Sequence, residues 1–411
     1  MGNADFTRRP LRVALIARTP WDFPALLALA TPGLEFGTFD VRRFGTPEHP
    51  NPFGLPLVAS SDVVLVSSFW HNWLATNHPD AVRAAFAEFE RRASTVVGLD
   101  SEDAFPLLLP PWELDRYALI IKAHGVYRDR DLYNYKSGAP FPGDQWHSKL
   151  TRREHEYSDT TLAKLRLGPP CFARDILAIR RSSRRHTVAS DGKTPSASPS
   201  RHVRAALKAT ADLTIRQAIF RVPVRGRWLD VHCLGSVSHT QRLTALRALE
   251  GFSGVHGATG VPDKFRGLVP DAEFTPQHRP QVVKQAAPYM RSRTNRLRYY
   301  TEMCQHKVVV APSGYGELTF RHGEALRAGA ALVCPSLDHV DIRFPFEDGG
   351  NVIWCKTDVS DLHDRVAELL ADDDRRARIA AAGRRDILKW ERTWRQLLDD
   401  SIAAPLREAA G

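Results

Sequence analysis

The residues best able to do chemistry in this sequence gather in one short stretch: Ser313-Gly314-Tyr315-Gly316, then Arg321, then Glu324. A glycine loop between an apolar run and a helical stretch lets backbone N–H groups approach a phosphate with no Cβ in the way. Arg321 carries a rigid fork of donors matched to phosphate oxygens. Glu324 follows it by one helical repeat and so shares its face. A second device of the same kind lies upstream, where an apolar run over 228–234 ends in Gly235-Ser236 and a helical stretch over 240–249 carries Arg242 in its first turn. A third group is Asp100, Asp103 and His124, each at or just beyond the end of an apolar run. A carboxylate or an imidazole there could take a proton from a hydroxyl as a general base. The alternative also stands: Asp100 and Asp103 capping the following turn, His124 an ordinary loop residue.

The elements that must position these groups read as strand and helix in alternation. Around the first stretch, Val308, Val309 and Val310 run to Pro312, the glycine loop comes next, 317–328 has helical character, and Gly329 precedes a second apolar run. In the first half, 11–17 and 62–67 read as buried parallel strands. The loop Phe69-Trp70-His71-Asn72-Trp73 then either lines a cleft or plugs the sheet edge, and Asp80 is expected to cap a helix carrying Val82, Ala85, Phe86 and Phe89. Residues 95–100 and 117–121 are further strands. Downstream, 291–307 reads as a helix packed through Leu297, Tyr300 and Met303. A strand over 351–355 precedes a helix over 360–371 capped by Ser360. The tail over 373–406 reads as helical throughout, with a stripe of Ile387, Leu388, Trp390, Trp394, Leu397 and Leu398.

At 411 residues the chain exceeds what a single core usually supports, so two domains are expected. A net charge of +10 suits an acidic partner, although arginine dispersed along the whole chain reflects composition equally well. The five cysteines, odd in number and never in C-x-x-C spacing, argue for a reducing compartment and against structural zinc. In Asp129-Arg130-Asp131 the central arginine would repel a cation, so no metal is expected. With no signal-like opening and no apolar span of about 20 residues, a soluble cytoplasmic protein is expected. The polar stretch over 141–170 reads as an acceptor-facing insertion or a solvated helix pair. Residues 180–204, rich in Ser, Pro and Arg, read as a linker or disordered loop. Its cluster Arg180, Arg181, Arg184 and Arg185 either is simply solvated or makes peripheral contact with an anionic inner membrane face.

The pattern Ser313-Gly314-Tyr315-Gly316, Arg321, Glu324-Ala325-Leu326 and Gly329 before an apolar run ending at Pro335 resembles the donor-site segment of GT-B glycosyltransferases, closest to the exostosin-like and group 1-like types. The resemblance implies two Rossmann-like parallel α/β domains facing a cleft. Their implied spans are 1–179 for the acceptor side, 205–385 for the nucleotide-sugar side, and 386–411 for a C-terminal helix crossing back. It implies that Arg321 lies by the diphosphate of a nucleotide sugar and Glu324 by its ribose, with Ser313, Gly314, Tyr315, Gly316, Gly235 and Arg242 completing the donor site. It further implies that Asp338, Asp341 and the stretch over 344–348 approach the transferred sugar. Retaining members place two glutamates eight apart; Glu317 and Glu324 are seven apart, so a retaining mechanism is not implied. The expected reaction moves a sugar to an acceptor hydroxyl of a glycan, lipid-linked or natural-product molecule, with the nucleotide sugar as co-substrate, no cofactor and no nucleic acid. The alternatives are a nucleotide- or nucleic-acid-binding protein without transferase activity, and a nucleotide-sugar epimerase of the same fold.

Overall fold

Continuous apolar strands call for cover on both faces, and the fold supplies it twice. A computed structural model describes residues 10–17, 28, 31–40, 56–68, 80–92, 94–101, 107, 109–134, 156–172, 219–220, 226–237, 240–261, 279–292, 295–314 and 316–411. The aromatic loop over 69–73, Asp103, most of the insertion over 141–170, the stretch over 180–204 and Tyr315 lie outside the described residues.

The first sheet contains β1 (Leu11–Ala17), β2 (Leu34–Asp40), β3 (Val63–Ser67), β4 (Thr95–Asp100), β5 (Leu119–Lys122) and β7 (Leu165–Leu167). Its order is β2-β1-β3-β4-β5-β7, parallel throughout. The second contains β8 (Leu229–Gly235), β9 (Gly254–Ala258), β10 (His306–Val310), β11 (Ala331–Pro335) and β13 (Ile353–Cys355). Its order is β13-β11-β10-β8-β9, again parallel. In each sheet the chain runs first to one side of its opening strand and then to the other. The reversal opens a crevice at the carboxyl ends of the strands, where α/β proteins bind ligands. For the second sheet that crevice lies between β8 and β10.

The helices that matter to the site are α1 (Ala81–Arg91), α2 (Thr240–Ala248), α3 (Arg296–Gln305), α4 (Phe320–Ala328), α5 (Leu362–Ala371), α6 (Asp373–Arg392), α7 (Trp394–Leu398) and α8 (Ala404–Ala410). On α1 the expected face is the buried one: Val82, Ala85, Phe86 and Phe89. Several expectations need correcting. Asp80 is itself in helical conformation and makes no side-chain cap. The residue before α5 is Asp361, not Ser360, and its carboxylate accepts the Lys356 N–H and the Arg365 guanidinium instead of capping the helix. Helix α4 begins at Phe320, so Glu317 stands in the loop before it. Leu297 and Leu388 point to solvent, outside the packing stripes assigned to them. The tail is not one helix; α7 and α8 are separated by a π-helical turn over Asp399–Ala403. Strand β2, LEFGTFD, is not evident from the sequence because it lies at the sheet edge and is not uniformly apolar.

The tail does cross back. Leu397, Leu398, Ile402, Ala403 and Leu406 pack with Val13, Leu15, Val63, Leu65, Leu99 and Ile121 on one face of the first sheet. A two-stranded antiparallel ladder joins the halves a second time, β6 (Val126–Tyr127) pairing with β12 (Val340–Asp341). The third junction is aromatic: Phe172, fully buried, meets Phe344, Phe346 and Trp390 at centroid distances of 5.7, 6.2 and 5.4 Å. Helix α4 comes so close to this junction that a Cβ on Gly323 would sit 2.6 Å from Phe172 Cβ. Truncation of Phe172 should therefore cost the whole chain, not one half. Phe172→Ala is expected to lower the unfolding free energy by about 3–5 kcal/mol in urea titrations, and a change under about 1 kcal/mol would show that the junction is not a shared core.

Candidate functional site

Gly235 ends β8 at the crevice, and its missing Cβ is what lets the site form. A Cβ there would lie 2.7 Å from Arg321 Nη2 and 3.2 Å from Arg242 Nη1. The guanidinium groups from α2 and α4 thus converge on one point at the carboxyl edge of the sheet. Each is anchored by backbone oxygens. Arg242 Nε donates to Ser313 O and its Nη1 to Ser236 O, both at 2.7 Å. Arg321 Nη2 donates to Leu234 O. A Cβ on Gly314 would lie 3.3 Å from Arg242 Nη2. Gly314 N–H donates to Gly316 O at 2.7 Å. The structure therefore brings together Gly235, Arg242, Ser313, Gly314, Gly316, Arg321 and Glu324 from the expected donor set.

Glu324, buried on α4, has each of its oxygens held by a tyrosine of α3. Tyr300 donates its hydroxyl to Oε1 at 3.2 Å and Tyr299 donates to Oε2 at 3.3 Å. Burial, and after it the Glu324 charge, pushes the Tyr299 phenol up to about 12, so it stays protonated as a donor. Burial disfavours the charge on Arg321, but Tyr299, Cys233 and Glu324 outweigh it and raise its pKa above the ordinary arginine value. The cation thus stays charged among groups that favour it.

Several residues here carry no clear signal in the sequence. Gln241, buried beside Arg242, accepts the Ser313 N–H at 2.9 Å and donates to Thr357 O at 2.6 Å, pinning the glycine loop. His322 and Thr319 form a reciprocal cap at the start of α4, the Thr319 N–H donating to His322 Nδ1 at 3.0 Å. His232 on β8 is fully buried, and neither of its ring nitrogens has a hydrogen-bond partner among the described residues. The only available hint is polarity: a Gln and two His where an amphipathic pattern predicts packing.

The first sheet delivers its candidates to one edge but not in equal condition. The Asp100 carboxylate lies 3.2 Å from Lys122 Nζ, both side chains buried. Its charge is matched inside the protein. His124 is buried at the end of β5 with φ of +73°, a left-handed conformation that costs a non-glycine residue energy. Its N–H donates to Pro169 O at 3.0 Å. Strand β6, which pairs with the second half, begins just after it. Of the Asp129-Arg130-Asp131 segment, Asp129 Oδ1 accepts the Asp131 N–H at 3.0 Å, a local turn. All five cysteines are buried and free. No helix among the described residues is long and apolar enough to cross a membrane.

Two parallel α/β units, a C-terminal tail returned to the first, and a cationic crevice at the carboxyl edge of the second make up the two-unit α/β architecture expected from the sequence. Residues 266–401, most of that second unit, match a family described as glycosyl transferase-like. The match is to that family in general and does not single out the exostosin-like type. Curated proteins give no match to this sequence. Among solved structures, the chain is similar to HepE from Anabaena in complex with UDP-glucose, at 11% identity over 96% of this chain and 100% of that one, with a TM-score of 0.45. It is similar also to the T4 phage BGT D100A mutant in complex with UDP-glucose, at 13% identity over 97% and 99% and a TM-score of 0.42. A third likeness is to a putative UDP-N-acetylglucosamine 2-epimerase from Listeria monocytogenes, at 10% identity over 91% and 92% and a TM-score of 0.39.

Gly235→Ala should push the guanidinium of Arg321 aside while leaving the strand itself able to form. Affinity for an anion at this crevice, read with inorganic pyrophosphate, is expected to fall by about tenfold or more, equivalent to about 1.4 kcal/mol, with a melting temperature within a few degrees of wild type; unchanged affinity would contradict the close approach. A second expectation concerns acid. Burial lowers His322 from 6.5 to about 3, so the unfolded chain binds a proton in that window that the folded chain refuses. Stability should therefore fall as pH drops below 6.5 and level off near 3. In urea titrations, His322→Gln, which keeps an acceptor for the cap, should fall less steeply than wild type over the same range. Parallel curves would contradict the assignment.

Proposed function

We propose that this protein transfers a sugar from a nucleotide-sugar donor to an acceptor hydroxyl, with the donor held in the β8–β10 crevice. The observation that carries the reading is the convergence of Arg242 and Arg321 on Gly235, one helical turn from a buried carboxylate gripped by tyrosines. The paired guanidinium groups suit a diphosphate. Glu324 suits a ribose, since a carboxylate accepts from vicinal hydroxyls. The same fixed cations would stabilise the negative charge that grows on the departing nucleoside diphosphate, the main catalytic lever for such a transfer. Bringing acceptor and donor together across the crevice supplies the rest.

The acceptor side belongs to the edge formed by β4 and β5. His124 is the preferred general base, because its strained backbone conformation is held at that edge and Asp100 is already paired with Lys122. Asp103 remains a candidate. The cytoplasmic setting, the peripheral membrane contact and the acceptor itself, whether glycan, lipid-linked or natural product, are part of the proposal that product analysis would decide.

Nucleotide sugars that bind only the native state raise its melting temperature in proportion to RT ln(1 + [L]/Kd). A screen of UDP-, GDP-, dTDP- and ADP-sugars should give a clear rise with one nucleotide class. Arg321→Ala and Glu324→Ala should each weaken it by about 10–100-fold in Kd. No response to any donor, or mutants that respond as wild type, would remove the donor site. Conversion of the donor sugar to its epimer without acceptor would instead make this an epimerase.

A further inference from the structure

We propose that Tyr299 and Tyr300 are positioning residues for Glu324, and that by holding one carboxylate oxygen each they make the site select a ribose-bearing diphosphate over its 2′-deoxy counterpart. The inference rests on the donor-site reading and adds to it a specificity device.

The geometry argues for it from several sides. Adjacent residues of a helix project about 100° apart, so neighbouring tyrosines can flank one target. Here they do, with rings 5.1 Å apart at 73° and hydroxyls on opposite oxygens of the same carboxylate. Each ring is held by a further contact: Tyr300 against Phe220 at 5.4 Å, Tyr299 against His232 at 5.3 Å. His232 in turn meets His306 at 5.1 Å, whose Nε2 accepts the Val255 N–H at 2.9 Å. The support therefore runs from strand β9 through the histidines to the tyrosine and on to Glu324.

A glutamate has rotatable bonds that a free side chain would sample, and hydrogen bonds at both oxygens fix the plane of the carboxylate. Each oxygen can accept more than one hydrogen bond. A carboxylate fixed in plane meets vicinal 2′- and 3′-hydroxyls as a matched pair. A 2′-deoxyribose offers only one of them and forfeits a charge-assisted bond at a desolvated site. A loosely held carboxylate would turn to the remaining hydroxyl and discriminate less. Tyr300 meets Glu324 while Tyr299 also neighbours Arg321, so removing the Tyr300 hydroxyl in particular should change selectivity more than total affinity.

The test uses the full chain and calorimetric titration of UDP against 2′-deoxy-UDP and of ADP against 2′-deoxy-ADP. Wild type should prefer the ribose form of whichever base binds by about tenfold or more. Tyr299→Phe and Tyr300→Phe, which keep the rings and their packing, should shrink that ratio to about threefold or less; Tyr300→Phe, whose hydroxyl meets Glu324, should leave affinity for the deoxy form nearly unchanged. Glu324→Gln should abolish the preference, and adding either tyrosine substitution to it should change nothing further. A merely structural role would instead weaken both ligands alike or lower the melting temperature without altering the ratio, and either result overturns the inference. If wild type binds neither ribonucleotide, the donor-site reading fails and takes this one with it. If it binds but the preference survives both tyrosine substitutions, only the positioning role is lost.

Discussion

The second half of this protein depends on a close approach that only glycine permits. At the end of β8 the backbone of Gly235 lies against the guanidinium groups of Arg321 and Arg242. Like charges brought to one point repel, and here the cost is met by fixed backbone oxygens from residues 234, 236 and 313. Those oxygens belong to the end of β8 and to the turns after β8 and β10, so the arginines tie together the strands that border the crevice. The positive spot and the shape of the crevice therefore have one cause. An anion arriving there replaces repulsion with attraction and needs no rearrangement of the cations, which is the condition under which electrostatic stabilisation is most effective.

Around that point the supports form a shell of buried polar contacts. Gln241 clamps the glycine loop to the segment before α5. The α3 tyrosines hold Glu324. At the opposite end of the sheet, Arg227 donates to Cys304 O, His306 O and Ala328 O, closing the exposed carbonyls where α3 and α4 finish. Burial, and after it the neighbouring Arg384, makes that guanidinium less basic than usual. The β6–β12 ladder and the Phe172 cluster fix the first unit against this assembly. His124 and the β8–β10 crevice are thus each attached, within a few residues, to the same seam.

The elements most legible in the sequence were those whose physics is local. β-branched runs such as Val308 to Val310 became central strands because a parallel strand buried on both faces must be apolar throughout. The glycine loop, Arg321 and Glu324 stand out in the sequence because missing Cβ atoms and forked donors near one another are a recognisable pattern. What could not be read depended on partners distant in sequence. Tyr300 looked like one more packing residue at helical spacing, and its hydroxyl acquired meaning only when α4 placed Glu324 across from it. The Asp100–Lys122 pair is a consequence of strand register, since those residues are direct neighbours on β4 and β5. The strained backbone of His124 has no sequence signature at all, because a histidine gives no warning that its φ will be positive. Edge strand β2, half exposed, lacked the continuous apolar run that marked its neighbours.

The central claim is that a nucleoside diphosphate lies on Arg242 and Arg321 with its ribose on Glu324. The most direct measurement is a crystal structure of the full chain soaked with UDP or, where the donor screen points elsewhere, with that nucleoside diphosphate. Diphosphate oxygens are expected within hydrogen-bond distance of both guanidinium groups, with ribose hydroxyls on the Glu324 carboxylate. Diphosphate density anywhere else, or a ribose turned away from Glu324, would contradict the claim.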